Sequence, residues 1–197
     1  MKLETQAILN TDDLTCIMFD MDNTLFDFVE AKTRACQEIV DHLGCGDALE
    51  LFQYFRRPGC GFEDWNNIRD YILDMGVFSR STYDECCKIY ETEKLRAVDP
   101  YPNAIPTIRE LKKMGLKIVI LTDAHSKNAK KRLEKTGFSQ WLDALFCADI
   151  TGSSKPSHHT FLFALEALDL QPCETLFVGD SLRRDIAPSK ALAMLTA

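Results

Sequence analysis

The chain has 197 residues, 46% of them hydrophobic and 27% charged, with a formal net charge of −7. This length fits one core domain with a modest insertion, and the apolar fraction is sufficient for a buried core. The acidic balance argues against a nucleic-acid-binding surface, which requires a basic stripe. Because the sequence contains neither a signal-peptide core nor an apolar run of about 18 residues, we also expect no membrane partner.

The eight cysteines form no C-x-x-C pair and sit within helix and strand patterns, as at Cys16, Cys36 and Cys147. This distribution is typical of small buried residues in a reducing compartment. We therefore expect a cytoplasmic protein, and the sequence leaves open whether it is a monomer or a homodimer.

The first predicted element is a short buried strand that ends in two carboxylates. After a polar lead-in over residues 1–13, Thr15–Phe19 is apolar and β-prone, and Asp20 and Asp22 follow it. An extended backbone through Met21 places both carboxylates on the same side. Two like charges this close disfavour joint ionisation, and a bound cation relieves that cost. The stretch predicts a metal-dependent site, the alternative being an acidic turn.

From about Phe26 to Val98 the apolar residues recur with helical spacing. Turn-forming residues interrupt this stretch at Gly44, at Pro58-Gly59 and at Gly76. Four helical segments are predicted, at about residues 29–43, 47–55, 62–75 and 81–95. We therefore predict an all-helical insert of residues 26–98, separate from a core domain of residues 1–25 and 99–197.

After Asp99–Pro102 the pattern changes to alternating strands and helices. Strands are predicted at residues 117–121, 144–147 and 175–178, and helices at 103–114, 126–136, 158–168 and 183–193. Such alternation implies right-handed crossovers between parallel strands. The predicted fold class is α/β, a Rossmann-like parallel sheet with helices on both faces.

Every predicted strand of the core is followed by a polar side chain, and the carboxyl ends of parallel strands share one edge of the sheet. Lys155, beside the rigid Pro156, is the cation predicted at that edge, and Asp185 adds a further carboxylate. Carboxylate oxygens with water suit Mg²⁺ rather than zinc or copper. The alternative is a solvated lysine with aspartates that cap helices. The polar residues at the strand ends are Asp20 and Asp22, Thr122, Asp149 and Asp180.

The motifs FDMDNT, LTD, KP and GDSLRRD occur in that order along the chain. In order and spacing they resemble the motifs of the haloacid dehalogenase-like hydrolase superfamily, from about residue 15 to the C-terminus. The helical insert is similar to the type-one cap of that superfamily. The region after the insert most resembles the phosphatase-like branch, which includes sugar-phosphate and phosphoglycolate phosphatases. The resemblance implies a Mg²⁺-dependent phosphatase that acts on a small-molecule phosphate monoester.

The resemblance also implies roles in catalysis and phosphate binding. Asp20 is expected to be the nucleophile that becomes an aspartyl-phosphate. Asp22 is expected to be the general acid for the leaving oxygen and then the base for water. Thr122 and Lys155 are expected to hold the phosphoryl oxygens. The dehalogenase branch lacks an aspartate at the position of Asp22, so its presence favours phosphate esters.

The metal ligands follow from the same resemblance. Asp20, Asp180 and the backbone carbonyl of Asp22 are expected to bind Mg²⁺. Asp185 is expected to lie behind them and to orient a metal-bound water or Lys155.

Two features depart from the family's pattern. Asp123, expected at the phosphate-binding site, stands where many relatives carry asparagine, and its charge is expected to narrow the substrate range. Relatives usually continue through a further strand, whereas this sequence stops at Ala197. Residues Ala191–Ala197 resemble the approach to that strand, so we expect a truncated product in which the neighbouring strand is exposed.

Substrate selection is assigned to the insert, because the motif residues contact only the phosphate and metal that all substrates share. Arg56, Arg57 and Trp65 are the candidates for contacts with the rest of the substrate. The alternative is a solvated arginine pair and a core tryptophan. Two other functions stay open, a phosphomutase of the same superfamily and a non-catalytic binding protein on this scaffold.

Overall fold

A computed structural model describes residues 13–197, so the predicted lead-in lies almost entirely outside the described residues. Five parallel strands form one sheet. They are Cys16–Phe19 (β1), Lys117–Thr122 (β2), Ala144–Cys147 (β3), Thr175–Val178 (β4) and Leu195–Thr196 (β5). The strand order is β3-β2-β1-β4-β5, which places β1 in the centre.

The helices of the core lie between its strands along the chain. They are Ala104–Lys113 (α5), Ser126–Thr136 (α6), Ala148–Thr151 (α7), His158–Ala167 (α8) and Ala187–Ala191 (α9), numbered after four helices of the insert. Because β2 and β3 lie on one side of β1 and β4 and β5 on the other, crossovers of one hand place helices on both faces. This confirms the predicted Rossmann-like parallel sheet.

The central position of β1 explains its apolar sequence, since all four of its residues are buried. Phe19 is in register with Ile120 of β2 and Val178 of β4. The next residue, Asp20, donates its N–H to the carbonyl of Val178 at 2.8 Å. The chain therefore leaves the sheet at Asp20, where the strand order reverses and where parallel sheets bind ligands.

The insert, Phe26–Pro100, forms a compact unit of its own, and the other described residues form the core unit. Its helices are Phe28–Leu43 (α1), Ala48–Tyr54 (α2), Asn66–Asp74 (α3) and Arg80–Ala97 (α4). Their apolar faces meet in a buried cluster in which the rings of Phe55 and Tyr90 stack at 4.8 Å. The unit ends at Pro100 rather than at residue 98.

Local structure differs from the sequence prediction at several places. In place of one helix over residues 183–193, a π-helical turn, Leu182–Ile186, precedes the short α9. Helix α3 begins at Asn66 rather than at residue 62, because the amide of Asn67 donates to the carbonyls of Gly61 and Asp64 and fixes a turn before the helix. The short helix α7 occupies part of a predicted loop. Strand β5 pairs with β4, so β4 is not the exposed edge strand that was expected.

Other expectations concern burial. Cys16, Cys36 and Cys147 are buried as expected, whereas Cys45 and Cys173 are exposed. Within residues 13–197, no helix combines the length and the apolar character required to cross a bilayer.

Candidate active site

A buried lysine joins two buried carboxylates at the carboxyl edge of the sheet. The Nζ of Lys155 donates to the Oδ1 of Asp20 and to the Oδ1 of Asp185, at 2.6 Å each. Lys155 is 4% exposed, and both aspartates are buried as well. Burying one charge costs several kcal/mol unless it is paired, and this arrangement pairs all three. The structure thus brings together residues from three separate motifs.

The protonation of this group is set by burial and by charge. Burial raises the pKa of Asp20 to about 6, although the positive charge of Lys155 opposes the rise. Burial alone would lower the pKa of Lys155, but the charges of Asp20 and Asp185 outweigh it and raise that pKa. At neutral pH the ammonium group is therefore charged, and the ionised form of Asp20 is the one that can act as a nucleophile.

Asp185 reaches the site from a π-helical turn, Leu182–Ile186, that precedes α9. Its second carboxylate oxygen accepts the N–H of Ser181 at 3.0 Å, which fixes the carboxylate. A Cβ at Gly179 would lie 2.6 Å from the Cβ of Asp185, so glycine is required there. Asp185 contacts Lys155, and its expected role in orienting that lysine stays a prediction.

Asp180 extends the carboxylate group towards solvent. Asp20, Asp180 and Asp185 each place a ligand oxygen within 4.8 Å of the others, and Asp180 is exposed. Oxygen donors with room for water suit a hard divalent cation such as Mg²⁺. Three carboxylates beside the single ammonium of Lys155 leave an excess of negative charge that a divalent cation would balance. The residues present therefore fit magnesium.

Thr122 is the last residue of β2, and Asp123 follows it at the same edge. The buried Thr122 accepts the N–H of Ala124 at its Oγ1, at 3.2 Å. Asp123 accepts the backbone N–H of Lys155 at 2.8 Å and lies 3.4 Å from the Nη1 of Arg184. Asp123 therefore connects the Lys155 loop to the π-helical turn, and the neighbouring guanidinium offsets part of its charge.

Asp149, the polar residue after β3, has a structural contact at the start of α6. Its carboxylate accepts the N–H of Ser126 at 2.8 Å and the hydroxyl of Ser126 at 2.6 Å. Because Ser126 is the first residue of α6, this contact satisfies an N–H group at the start of that helix. Asp149 is not part of the carboxylate cluster found among the described residues.

Asp22 is separate from the other carboxylates and contacts a residue that the motifs did not indicate. Both of its oxygens accept from the Nη1 of Arg132, at 2.9 and 2.7 Å. Its carboxylate is not in the cluster formed by the three other aspartates. The metal ligand expected from Asp22 is its backbone carbonyl, so this finding does not test that expectation. Arg132 lies on the buried face of α6, at helical spacing from Ala129 and Thr136. This spacing was the sequence feature that could have identified Arg132 as a buried residue.

The candidate substrate residues of the insert have different environments. Arg57 donates to Asp70 at 2.9 Å and to Asn67 at 3.3 Å, so it is held within the insert. Arg56 is exposed. Trp65 is 46% exposed, and its indole donates to Glu91 at 3.0 Å, so it is not a core tryptophan. A role in substrate selection stays a prediction for all three.

Comparison with known proteins places this site in a family. The haloacid dehalogenase-like hydrolase family matches residues 14–192. A glyceraldehyde 3-phosphate phosphatase from Methanocaldococcus jannaschii is 29% identical over 189 residues, which cover 91% of this chain and 82% of that protein. A ribulose-1,5-bisphosphate 5-phosphatase from Halopiger xanaduensis is 28% identical over 199 residues, which cover 92% of this chain and 83% of that protein.

A solved structure shows the same fold. The Bacillus subtilis protein YfnB, described as a HAD-hydrolase, matches with a TM-score of 0.72 at 19% identity, over 93% of this chain and 87% of that one. The family match spans most of the sequence and includes every residue of the site described above. The chain therefore belongs to the haloacid dehalogenase-like hydrolase family.

Proposed function

We propose that this protein is a Mg²⁺-dependent phosphatase that hydrolyses a small-molecule phosphate monoester through an aspartyl-phosphate intermediate. The observation that carries the proposal is the contact of Lys155 with Asp20 and Asp185, 2.6 Å each, beside the exposed Asp180. A carboxylate nucleophile with an adjacent cation is suited to attack phosphorus, because the cation offsets charge on the transferring phosphoryl group.

The reaction has two half-steps. In the first, an oxygen of Asp20 attacks phosphorus and the phosphorus–oxygen ester bond breaks. The leaving oxygen keeps the electron pair and takes the proton from Asp22, so an alcohol departs. In the second, Asp22 takes a proton from water, and the water oxygen attacks the phosphoryl group. Inorganic phosphate leaves, Asp20 is again a carboxylate, and Asp22 is again protonated.

The other residues of the site stabilise charge. Lys155 is proposed to neutralise phosphoryl oxygens, and Thr122 to donate its hydroxyl to them. Asp20 and Asp180 would hold Mg²⁺ with their side chains and Asp22 with its backbone carbonyl, while Asp185 would lie behind them and orient Lys155. When bound, the metal would supply a positive charge that stabilises the transferring phosphoryl group.

The substrate class is proposed from the relatives. The two relatives named above are phosphatases of glyceraldehyde 3-phosphate and of ribulose 1,5-bisphosphate, and another, from Neisseria gonorrhoeae, is a phosphoglycolate phosphatase. We infer a sugar phosphate or a phosphoglycolate-like ester as substrate.

The test is phosphate release from a panel of such esters. The wild-type protein with Mg²⁺ is expected to release inorganic phosphate, and chelation by EDTA should abolish the release until Mg²⁺ is restored. Asp20→Asn should lower the rate by about a thousandfold or more, since it removes the nucleophile. Asp169→Asn is the matched control, because it makes the same change at an exposed residue before β4. Full activity after chelation, or in Asp20→Asn, would contradict the proposal.

A further inference from the structure

The structure contains a buried arginine that the reaction above does not yet use. Helix α6 carries five basic residues, of which Lys127, Lys130, Lys131 and Lys135 are exposed. Arg132 is 2% exposed, and its Nη1 donates to both carboxylate oxygens of Asp22. Burying a guanidinium costs several kcal/mol unless it is paired, so this contact has a specific energetic basis.

We propose that Arg132 is a positioning residue for Asp22, the carboxylate that exchanges a proton with the leaving oxygen. This inference rests on the proposed phosphatase function. The structure gives each of the two carboxylates, Asp20 and Asp22, its own cation. Lys155 contacts Asp20 at 2.6 Å, and Arg132 contacts Asp22 at 2.9 and 2.7 Å.

The geometry explains why positioning matters here. A nitrogen that contacts both oxygens restricts rotation of the carboxylate about its side-chain torsions. Arg132 itself is fixed, because it extends from the buried face of an eleven-residue helix. Proton transfer requires donor and acceptor within hydrogen-bond reach, and a small misplacement lowers its rate strongly. Asp20 is held by Lys155, so nucleophilic attack is expected to depend less on Arg132.

This separation predicts a dependence on the leaving group. An alkyl phosphate has a basic leaving oxygen that needs the proton from Asp22, whereas p-nitrophenyl phosphate has a weakly basic one that needs it little. The value of kcat/KM reports the first half-step, because the alcohol leaves in that step. Loss of Arg132 should therefore lower kcat/KM more for the alkyl ester than for the aryl ester.

The experiment compares both esters in four proteins: the wild type, Arg132→Met, Arg132→Lys and Lys131→Met. Arg132→Met removes the charge at similar length, and we expect kcat/KM to fall about tenfold more for the alkyl phosphate than for p-nitrophenyl phosphate. Arg132→Lys keeps the charge without the planar group, so an intermediate ratio is expected. Lys131→Met is the control at an exposed neighbour on the same helix and should leave the ratio unchanged.

Circular dichroism and thermal melting separate this role from a structural one. If Arg132→Met does not fold, Arg132→Lys decides, since it retains the buried positive charge. An equal fall for both esters in the folded variants would overturn the inference and leave the phosphatase proposal intact. A wild-type protein that hydrolyses neither these esters nor the panel would overturn the proposed function, and the inference with it.

Discussion

At the scale of single residues, the site depends on the close approach of Asp185 to the backbone of Gly179. A methyl group at position 179 would prevent this approach. A Cβ at Gly179 would lie 2.6 Å from the Cβ and 2.7 Å from the Cγ of Asp185. Both atoms belong to a buried side chain that contacts Lys155, so neither can move away without disturbing that contact. The glycine between β4 and Asp180 is therefore explained by packing.

Gly179→Ala is expected to lower the free energy of unfolding by about 1–3 kcal/mol, the usual cost of overpacking a buried site. Because the clash displaces Asp185 from Lys155, phosphate release should fall as well. Urea unfolding measures the first effect. Gly61→Ala is the control, since the nearest atom to its added Cβ is 3.5 Å away, and it should be nearly neutral. Equal stability of the two variants would contradict this explanation.

At the scale of elements, the connection between α2 and α3 fixes one of two adjacent arginines. The guanidinium of Arg57 lies over the ring of Tyr54 at 4.4 Å and pairs with Asp70 at 2.9 Å. This connects the end of α2 to the middle of α3, two helices whose apolar faces share the core of the insert. Arg56, one residue earlier, is exposed.

We therefore predict different effects for two alanine substitutions. Arg57→Ala should lower the free energy of unfolding by about 0.5–1 kcal/mol, because the pair is partly exposed and such pairs are screened by water. Arg56→Ala should change it by less than about 0.5 kcal/mol, as at most surface positions. Thermal melting of both variants distinguishes them. The substrate ranking of Arg56→Ala then tests selection by this residue without a loss of stability, and a ranking identical to that of the wild type would exclude it.

At the scale of the whole molecule, the chain consists of two compact units with separate cores. The insert begins at Phe26, shortly after Asp22, and the core resumes at Tyr101, before Thr122. Its buried cluster includes Ile39, Leu51 and Tyr71 and is formed by residues of the insert. A unit with its own core is suited to replacement as a whole.

We predict that replacing residues 26–100 by the corresponding insert of a related phosphatase retains phosphate release and shifts the ranking of substrates towards that of the donor. The reason is that the retained residues, among them Asp20, Lys155 and Asp180, are proposed to contact the phosphate and metal that all substrates share. A protein in which the native insert is restored through the same junctions is the control. An unchanged ranking in an active chimera would show that the insert does not select the substrate.

The sequence by itself determined the elements and most of the proposed site. Apolar spacing with a period of two or 3.6 residues depends on local geometry, so it predicted β1 to β4 and the principal helices. The motif residues Asp20, Lys155 and Asp180 were found because the carboxyl ends of parallel strands share an edge. Helical spacing also placed Arg132 on a buried face, but surrounding lysines made it resemble a residue of a solvated surface.

The tertiary structure decided which charges pair. Arg132 contacts Asp22 and Arg184 approaches Asp123 across separations of 110 and 61 residues, which no local pattern encodes. Strand β5 has two residues, too few to show a period, and it exists because β4 offers an unpaired edge. Trp65 precedes α3 and is half-exposed, and its indole donates to Glu91 across 26 residues. In each case the outcome depends on distant segments packed together, and sequence spacing describes only neighbours along the chain.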